Sequence, residues 1–272
     1  MDRQFIGKHK MIIGMAHLLP LPGSPLHDFD GGMNKIIDRA FEDVENLIAG
    51  GVDGIQIENQ WDRPFQKNGK INLETIAAMA SVTGLLKKNF NFPMGVNVHL
   101  NGGMEAMAIA ATTGCDWIRV FELCNAYIAN SSGIIEANGP ELLRYRMNLR
   151  MDKKIKILGD FHVKHGSHSL VADRNSLELA RDVESALADA LIITGFETGK
   201  APDFESIEKI RKGTSLPIFI GSGLSISNLS NLLPVLDGAV VGSGFKENGD
   251  LMKPISTKLV TEFMNKVNDL RK

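Results

Sequence analysis

The stretch Asp160-Phe161-His162-Val163-Lys164-His165 places a carboxylate, an imidazole and an amine at alternate positions. Alternate side chains of an extended strand share one face, so Asp160, His162 and Lys164 are expected to point the same way. That trio suits proton transfer. It also suits a Schiff-base lysine or a metal. Burying three polar groups against a helix layer would be costly, which favours an inward, rim-directed face. The competing reading is a solvated strand end or an internal ion pair.

A second signal lies near the C-terminus. Gly221-Ser222-Gly223 and Gly242-Ser243-Gly244 close two successive apolar runs with the same tripeptide. Glycine lets backbone approach a ligand, and successive free N–H groups near a helix start bind anions. These six residues are the expected phosphate seat, and 245–250 could supply a short helical turn beside it. The plainer alternative is a pair of tight strand-to-helix turns.

Other strand ends add candidates: His17, Glu58 and Asn59; then Asn97, His99 and Asn101 at alternate positions; then Arg119, Glu122, Thr194, Glu197 and Thr198. His17 and Glu58 join the catalytic candidates. Asn59, Asn97, His99, Arg119 and Thr194 join the substrate-binding ones. His17, Glu58, Asp160 and His162 together would suit a divalent cation, but no HExxH motif or close ligand pair accompanies them. No metal ligand is assigned and no cofactor is predicted, a divalent cation being left open.

These groups need a scaffold that gathers strand ends. Eight short apolar runs occur, at 11–17, 51–59, 93–100, 116–123, 155–163, 189–195, 216–223 and 238–244, with helical patterns between most of them. Alternating strands and helices imply parallel pairing with helical crossovers. Eight such units in 272 residues point to an α/β fold, a single (β/α)8 TIM barrel over residues 1–272, with a tail at 1–10 and a closing helix at 254–271. An open doubly wound sheet is the runner-up. It would carry a glycine fingerprint after the first strand, where HLLPLPGSP (17–25) stands instead. That proline-stiffened loop suits a pocket wall. The longest irregular stretches, 18–32, 60–70, 124–139 and 164–175, would all gather at the active-site rim. The loops at 124–139 and 164–175 are expected to move most.

Composition narrows the partners. Hydrophobic residues make up 43% and charged residues 23%, and the net charge is -2, so a disordered chain and a global nucleic-acid field are excluded. Arg144 and Arg146 would not share a helix face, which argues against a nucleic-acid stripe but leaves one free to reach an anionic substrate. Two cysteines, Cys115 and Cys124, imply neither a disulfide framework nor a cysteine zinc site, and point to the cytosol. The polar start has no signal-peptide pattern, and no apolar run is long enough for a transmembrane span. Residues 255–272 are amphipathic and read as a packed helix; peripheral membrane association stays open. A homo-oligomer is expected on base rates alone.

The assembled motifs resemble the BtpA family, which includes the SgcQ proteins. The resemblance rests on IGMAHLLPLPGSP (13–25), GGVDGIQIEN (50–59), GVNVHLNG (95–102), Gly133-Ile134-Ile135-Glu136 leading to LRYR (143–146), DFHVKHG (160–166), DALIITGFETG (189–199), PIFIGSGLSISN (217–228) and DGAVVGSGFK (237–246). It implies a TIM barrel of the ribulose-phosphate-binding type. By name it links the family to photosystem I biogenesis, and the SgcQ branch to sugar-related gene clusters. Where family members commonly read NVLRND, this chain reads NVHLNG (97–102), and residues 121–133 depart from a run carrying His and Gly. Both departures fall on the rim and suggest a shifted substrate or a lost activity.

Three functions follow. The first is an enzyme on a small phosphorylated substrate: a sugar-phosphate isomerase, epimerase or aldolase-like lyase. The glycine pair would hold the phosphate while Asp160, His162 and Lys164 move protons beside a carbonyl. The second is a non-catalytic assembly factor for a membrane complex, marked by an exposed apolar patch. The third is a nucleotide-binding or nucleotide-hydrolysing protein, ranked last because no GxxxxGK[ST] loop occurs.

Overall fold

The computed structural model describes residues 10–194 and 204–272. Each expected run contains a strand: β1 (Met11–His17), β2 (Gly54–Glu58), β3 (Met94–Asn97), β4 (Trp117–Val120), β7 (Lys156–Phe161), β9 (Ala190–Ile193), β10 (Ile218–Ile220) and β11 (Gly238–Val241). They close in the order β1-β11-β10-β9-β7-β4-β3-β2, every neighbouring pair parallel. The helices outside are α1 (Gly32–Gly50), α2 (Leu73–Asn89), α3 (Gly103–Thr113), α4 (Gly139–Asn148), α5 (Ser176–Ser185), α6 (Phe204–Arg211), α7 (Leu229–Leu232) and α8 (Thr257–Leu270). Glycines end two of them in the left-handed region, Gly51 at φ 89° and Gly114 at φ 80°. Asn175 and Glu178 close a capping box on α5.

Because strand side chains alternate, each strand feeds two cores. The outward set packs against the helices in one large cluster. The inward set, including Met11, Ile13, Met15, Trp117, Leu158, Ile192, Phe219 and Val240, fills the barrel. One step further along the same inward faces come His17, Glu58, Asn97, Arg119, Asp160, Thr194, Gly221 and Gly242. The apolar plug therefore ends under a ring of polar and glycine positions.

The amino ends of the strands are closed by a fourfold repeat. Asp53, Asp116, Asp189 and Asp237 each stand immediately before a strand. Their carboxylates accept the N–H of Ile12, Met94, Ile157 and Ile218, at 2.7, 3.0, 2.9 and 2.8 Å. Each also meets a cation: Arg271, Lys87, Arg146 with Lys156, and Arg211 respectively. Arg146 is thus buried on Asp189 at the far end of the barrel, and Arg144 caps the carbonyl of Pro140. The expectation that either reaches a substrate at the rim is corrected.

The two rim loops expected to move are paired with each other. β5 (Ala126–Ala129), β6 (Gly133–Glu136) and β8 (Gly166–Ser167) form a small antiparallel sheet in the order β6-β5-β8. The short helical turn expected at 245–250 is present as a 3-10 turn at Glu247–Gly249, which follows another at Ser243–Phe245. Among the described residues no helix is long and apolar enough to cross a membrane.

Candidate active site

A cavity of about 490 Å3 opens at the carboxyl ends of the barrel strands. Of the residues singled out in the sequence, it is lined by His17, Glu58, His99, Arg119, Asp160, Lys164, Thr194 and both Gly-Ser-Gly turns, 221–223 and 242–244. The turns end adjacent strands. Neither Gly221 nor Gly242 has room for a side chain. A Cβ at Gly242 would lie 2.9 Å from His17 Cε1, and one at Gly221 would lie 3.0 Å from an Arg119 guanidinium nitrogen. Gly223 adopts φ 83°, a conformation that side chains rarely take. The glycine turns are therefore flanked by a guanidinium on one side and an imidazole on the other.

Arg119 makes a bidentate pair with Asp160, Nε to Oδ1 at 2.7 Å and Nη2 to Oδ2 at 2.6 Å, wholly inside the barrel. Burial raises the Asp160 carboxyl above its ordinary range, opposed by Arg119 and Lys164. Burial lowers the Lys164 amine, and the Arg119 charge lowers it further. Among the described residues no carboxylate closes an ion pair on Lys164. A depressed amine beside a fixed guanidinium can accept and return a proton.

Across the cavity Glu58 stands between two imidazoles, 3.0 Å from His99 Nε2 and 3.9 Å from His17 Nε2. Burial works against the Glu58 carboxylate, but His99, His17 and Arg119 together hold it at about 2. Burial holds His17 at about 4, so its ring is neutral at pH 7. His17 Nδ1, His99 Nδ1 and Glu58 Oε2 are buried without a hydrogen-bond partner.

Three expected site residues do not line this cavity. His162 turns away because β7 ends at Phe161 and His162 takes φ 51°, so strand alternation stops one residue too early. Its ring stacks between Phe161 and His168 and lines a separate small polar pocket with Glu122 and Cys124. The expected trio is a pair, Asp160 and Lys164, and the four-residue cation set is broken at the same point. Among the described residues no group of three or more His, Cys, Asp and Glu could hold a metal. Asn59 is a pin instead. Its amide donates to Asp62 and its oxygen accepts the His99 N–H at 2.7 Å, beside a second cavity of about 240 Å3. The Gly23-Ser24-Pro25 end of the proline loop lines that second cavity. Asn97 is buried on the inward face of β3. Asn101 ties Glu122 and Glu136 through their backbones. Thr194 lines the main cavity while donating to the His162 carbonyl at 2.9 Å. Glu197 and Thr198 lie outside the described residues. Sequence reasoning missed the Arg63, Phe65, Phe121, Tyr127 and His165 contributions to the lining. Their signal was an aromatic or basic residue within a rim stretch.

An eight-stranded parallel barrel with helices outside and a cavity at its carboxyl rim is a TIM barrel. The chain belongs to the BtpA family, which it matches over residues 8–269. It is 36% identical over 259 residues to the photosystem I biogenesis protein BtpA of Synechocystis sp., covering 94% of this chain and 87% of that protein. Among solved structures it is similar to N-(5'-phosphoribosyl)anthranilate isomerase from Pyrococcus furiosus, with TM-score 0.55 and 16% identity over 96% of this chain and 100% of that one. It is similar too to orotidine 5'-monophosphate decarboxylase from Methanocaldococcus jannaschii, with TM-score 0.55 and 15% identity over 95% and 98%. At such identities the structural likeness speaks for the fold.

Proposed function

We propose that this protein is an enzyme acting on a small phosphorylated substrate, in the manner of a sugar-phosphate isomerase, epimerase or aldolase-like lyase. The observation that carries the reading is one cavity shared by two matching glycine turns, the Arg119–Asp160 pair, Lys164 and the Glu58–imidazole cluster. The Gly221 N–H is spent on the Ile193 carbonyl, so it is the close backbone approach of the two turns, with Arg119 and His17 beside them, that seats the phosphate oxygens. Lys164, its pKa lowered, takes the proton from the carbon next to a carbonyl and returns it. The neutral His17 ring, not hydrogen-bonded to Glu58, offers its one N–H to the oxygen on which charge develops, while His99 spends its Nε2 N–H on Glu58. Asp160 positions Arg119. The two structural neighbours support the phosphate assignment as far as their names go, since both name a phosphate-bearing compound. Two free thiols, Cys115 and Cys124, support a reducing compartment such as the cytosol.

The test is thermal unfolding with inorganic phosphate. A ligand that binds only the folded chain stabilises it by about 2.7 kcal/mol at a hundred times its dissociation constant. Phosphate should raise Tm in the wild type and leave Gly242→Val unmoved, because the added side chain collides with His17 and fills the seat. An unchanged Tm in the wild type, or an equal rise in both, removes the phosphate seat.

A second reading has one observation in its favour: the Synechocystis relative is named for photosystem I biogenesis. An assembly role would use surface, and Leu26, Phe29 and Leu73 are exposed at 56%, 86% and 80% where the β1–α1 loop meets α2. Loss of function in a Phe29→Ser, Leu73→Ser variant that keeps phosphate binding would favour it.

A further inference from the structure

The cavity has two unlike poles. In the strand order the adjacent pair β10 and β11, which carries the glycine turns, stands diametrically opposite the pair β3 and β4. Asp160 and Lys164 on one flank, and His17 and Glu58 on the other, lie between. At the β3–β4 pole the lining changes character. Leu100, Phe121, Tyr127, Ala129 and Val163, with Phe65 against them, form a hydrophobic cluster separate from both barrel cores, and all six line the cavity. The rim sheet builds much of it, and Ser132 ties that sheet to the Phe65 carbonyl. His99 is fixed among the rings, stacked on Phe65 at 4.3 Å and edge-on to Phe121 at 4.8 Å. Arg119 lies over Phe121 at 5.1 Å.

Phosphate alone would occupy a small part of about 490 Å3. Arg63, Asn130 and Ser131 also line the cavity, but a polyol laid on the six apolar side chains would press hydroxyls against carbon that offers them no hydrogen bond, and each buried unpaired hydroxyl is costly. A flat unsaturated ring would gain from the same surface through burial and ring contacts. Phe65 is half-buried, so part of its ring is open to a ligand.

We infer that the substrate is a phosphate ester whose end remote from the phosphate is an aromatic or heteroaromatic ring, seated on the Phe65–Phe121–Tyr127 wall. The inference rests on the proposed reading of the glycine turns and adds the chemistry of the opposite pole. The reacting carbon then lies between the two anchors, within reach of the flanking proton-transfer groups.

The test is calorimetric titration with two probes, phenyl phosphate and glycerol phosphate. Phenyl phosphate should bind on the order of tenfold tighter. In Phe65→Ala that ratio should fall toward one. Phe65→Leu serves if the alanine variant unfolds, since it keeps apolar bulk without the ring. Equal affinities in the wild type overturn the ring assignment while leaving the phosphate seat standing. A ratio preserved in both Phe65 variants overturns the placement on this wall. Binding of neither ester removes the seat, and this inference with it.

Discussion

The two ends of the barrel hold similar residue types in opposite states. At the amino end four aspartates recur with the rhythm of alternate strands, and each is saturated by a strand N–H and a cation. At the carboxyl end Asp160 and Glu58 are at least as deeply buried, yet they border a cavity and leave neighbouring groups unpartnered. Residue type does not separate structural from functional carboxylates here. What separates them is whether the surrounding donors are already used. The amino end spends its charge on closing the barrel, and the carboxyl end keeps Lys164 and two imidazole nitrogens available.

The largest contrast should appear on removing one carboxylate from each end. Asp160→Ala strands the buried Arg119 guanidinium, a change that costs about 3–5 kcal/mol. Asp116→Ala gives up the Met94 N–H bond and a partly exposed lysine pair, for about 1–2 kcal/mol. Urea denaturation would measure both, and phosphate affinity should survive only in the second. Equal destabilisation, or an anion response retained in Asp160→Ala, would break the distinction between the ends.

Lysines sharpen the same contrast at smaller cost. Lys164→Met removes an amine that lines the cavity, whereas Lys156→Met removes one bound to Asp189 at the closed end. Affinity for glycerol phosphate should fall about tenfold in the first, the effect of losing one hydrogen-bonding amine. In Lys156→Met it should stay within about twofold, with only a modest loss of stability. Equal affinities in the two variants would take Lys164 out of the site.

How much of this was legible follows from burial. Strands covered on both faces read as continuous apolar runs, which is why all eight were visible and β1 matched end to end. The runs overshot the strands elsewhere because polar rim residues continue the pattern after the hydrogen-bonded ladder ends. Alternation gave Asp160 and Lys164 a common inward face, and both line the cavity. It failed at His162, where one left-handed residue reverses the side-chain direction and no local signal announces it. The rim sheet was invisible because its hairpin strands β5 and β6 have only four residues each, and the two-residue β8 pairs with β5 from beyond β7. Phe65 and Tyr127 were therefore read as loop residues, although they form a wall. The four amino-end aspartates were legible in principle, each at or near the start of an even-numbered run and directly before its strand, but the repeat gains meaning only once the strands are side by side.

The smallest effect discriminates most finely, because it compares two histidines with similar pKa values. Burial holds His17 at about 4 and His162 at about 4, below the ordinary 6.5. Between those values the unfolded chain binds the protons and the folded chain does not. Stability contributed by the neutral rings is therefore complete above pH 6.5 and is lost as pH falls toward 4. Free protein should show both rings titrating low by NMR, with a Tm that drops across that window. A phosphate seated at Gly242 places negative charge beside His17, favours its protonated form and raises its pKa. His162 faces the other pocket, behind Phe161 and His168, so its titration should stay put. Phosphate should consequently soften the acid loss of stability in the wild type and in His162→Gln, but not in His17→Gln. If saturating phosphate moved both rings by the same amount, the anion would be acting through the whole molecule, and the difference between a seat at the strand ends and a separate pocket behind β7 would vanish.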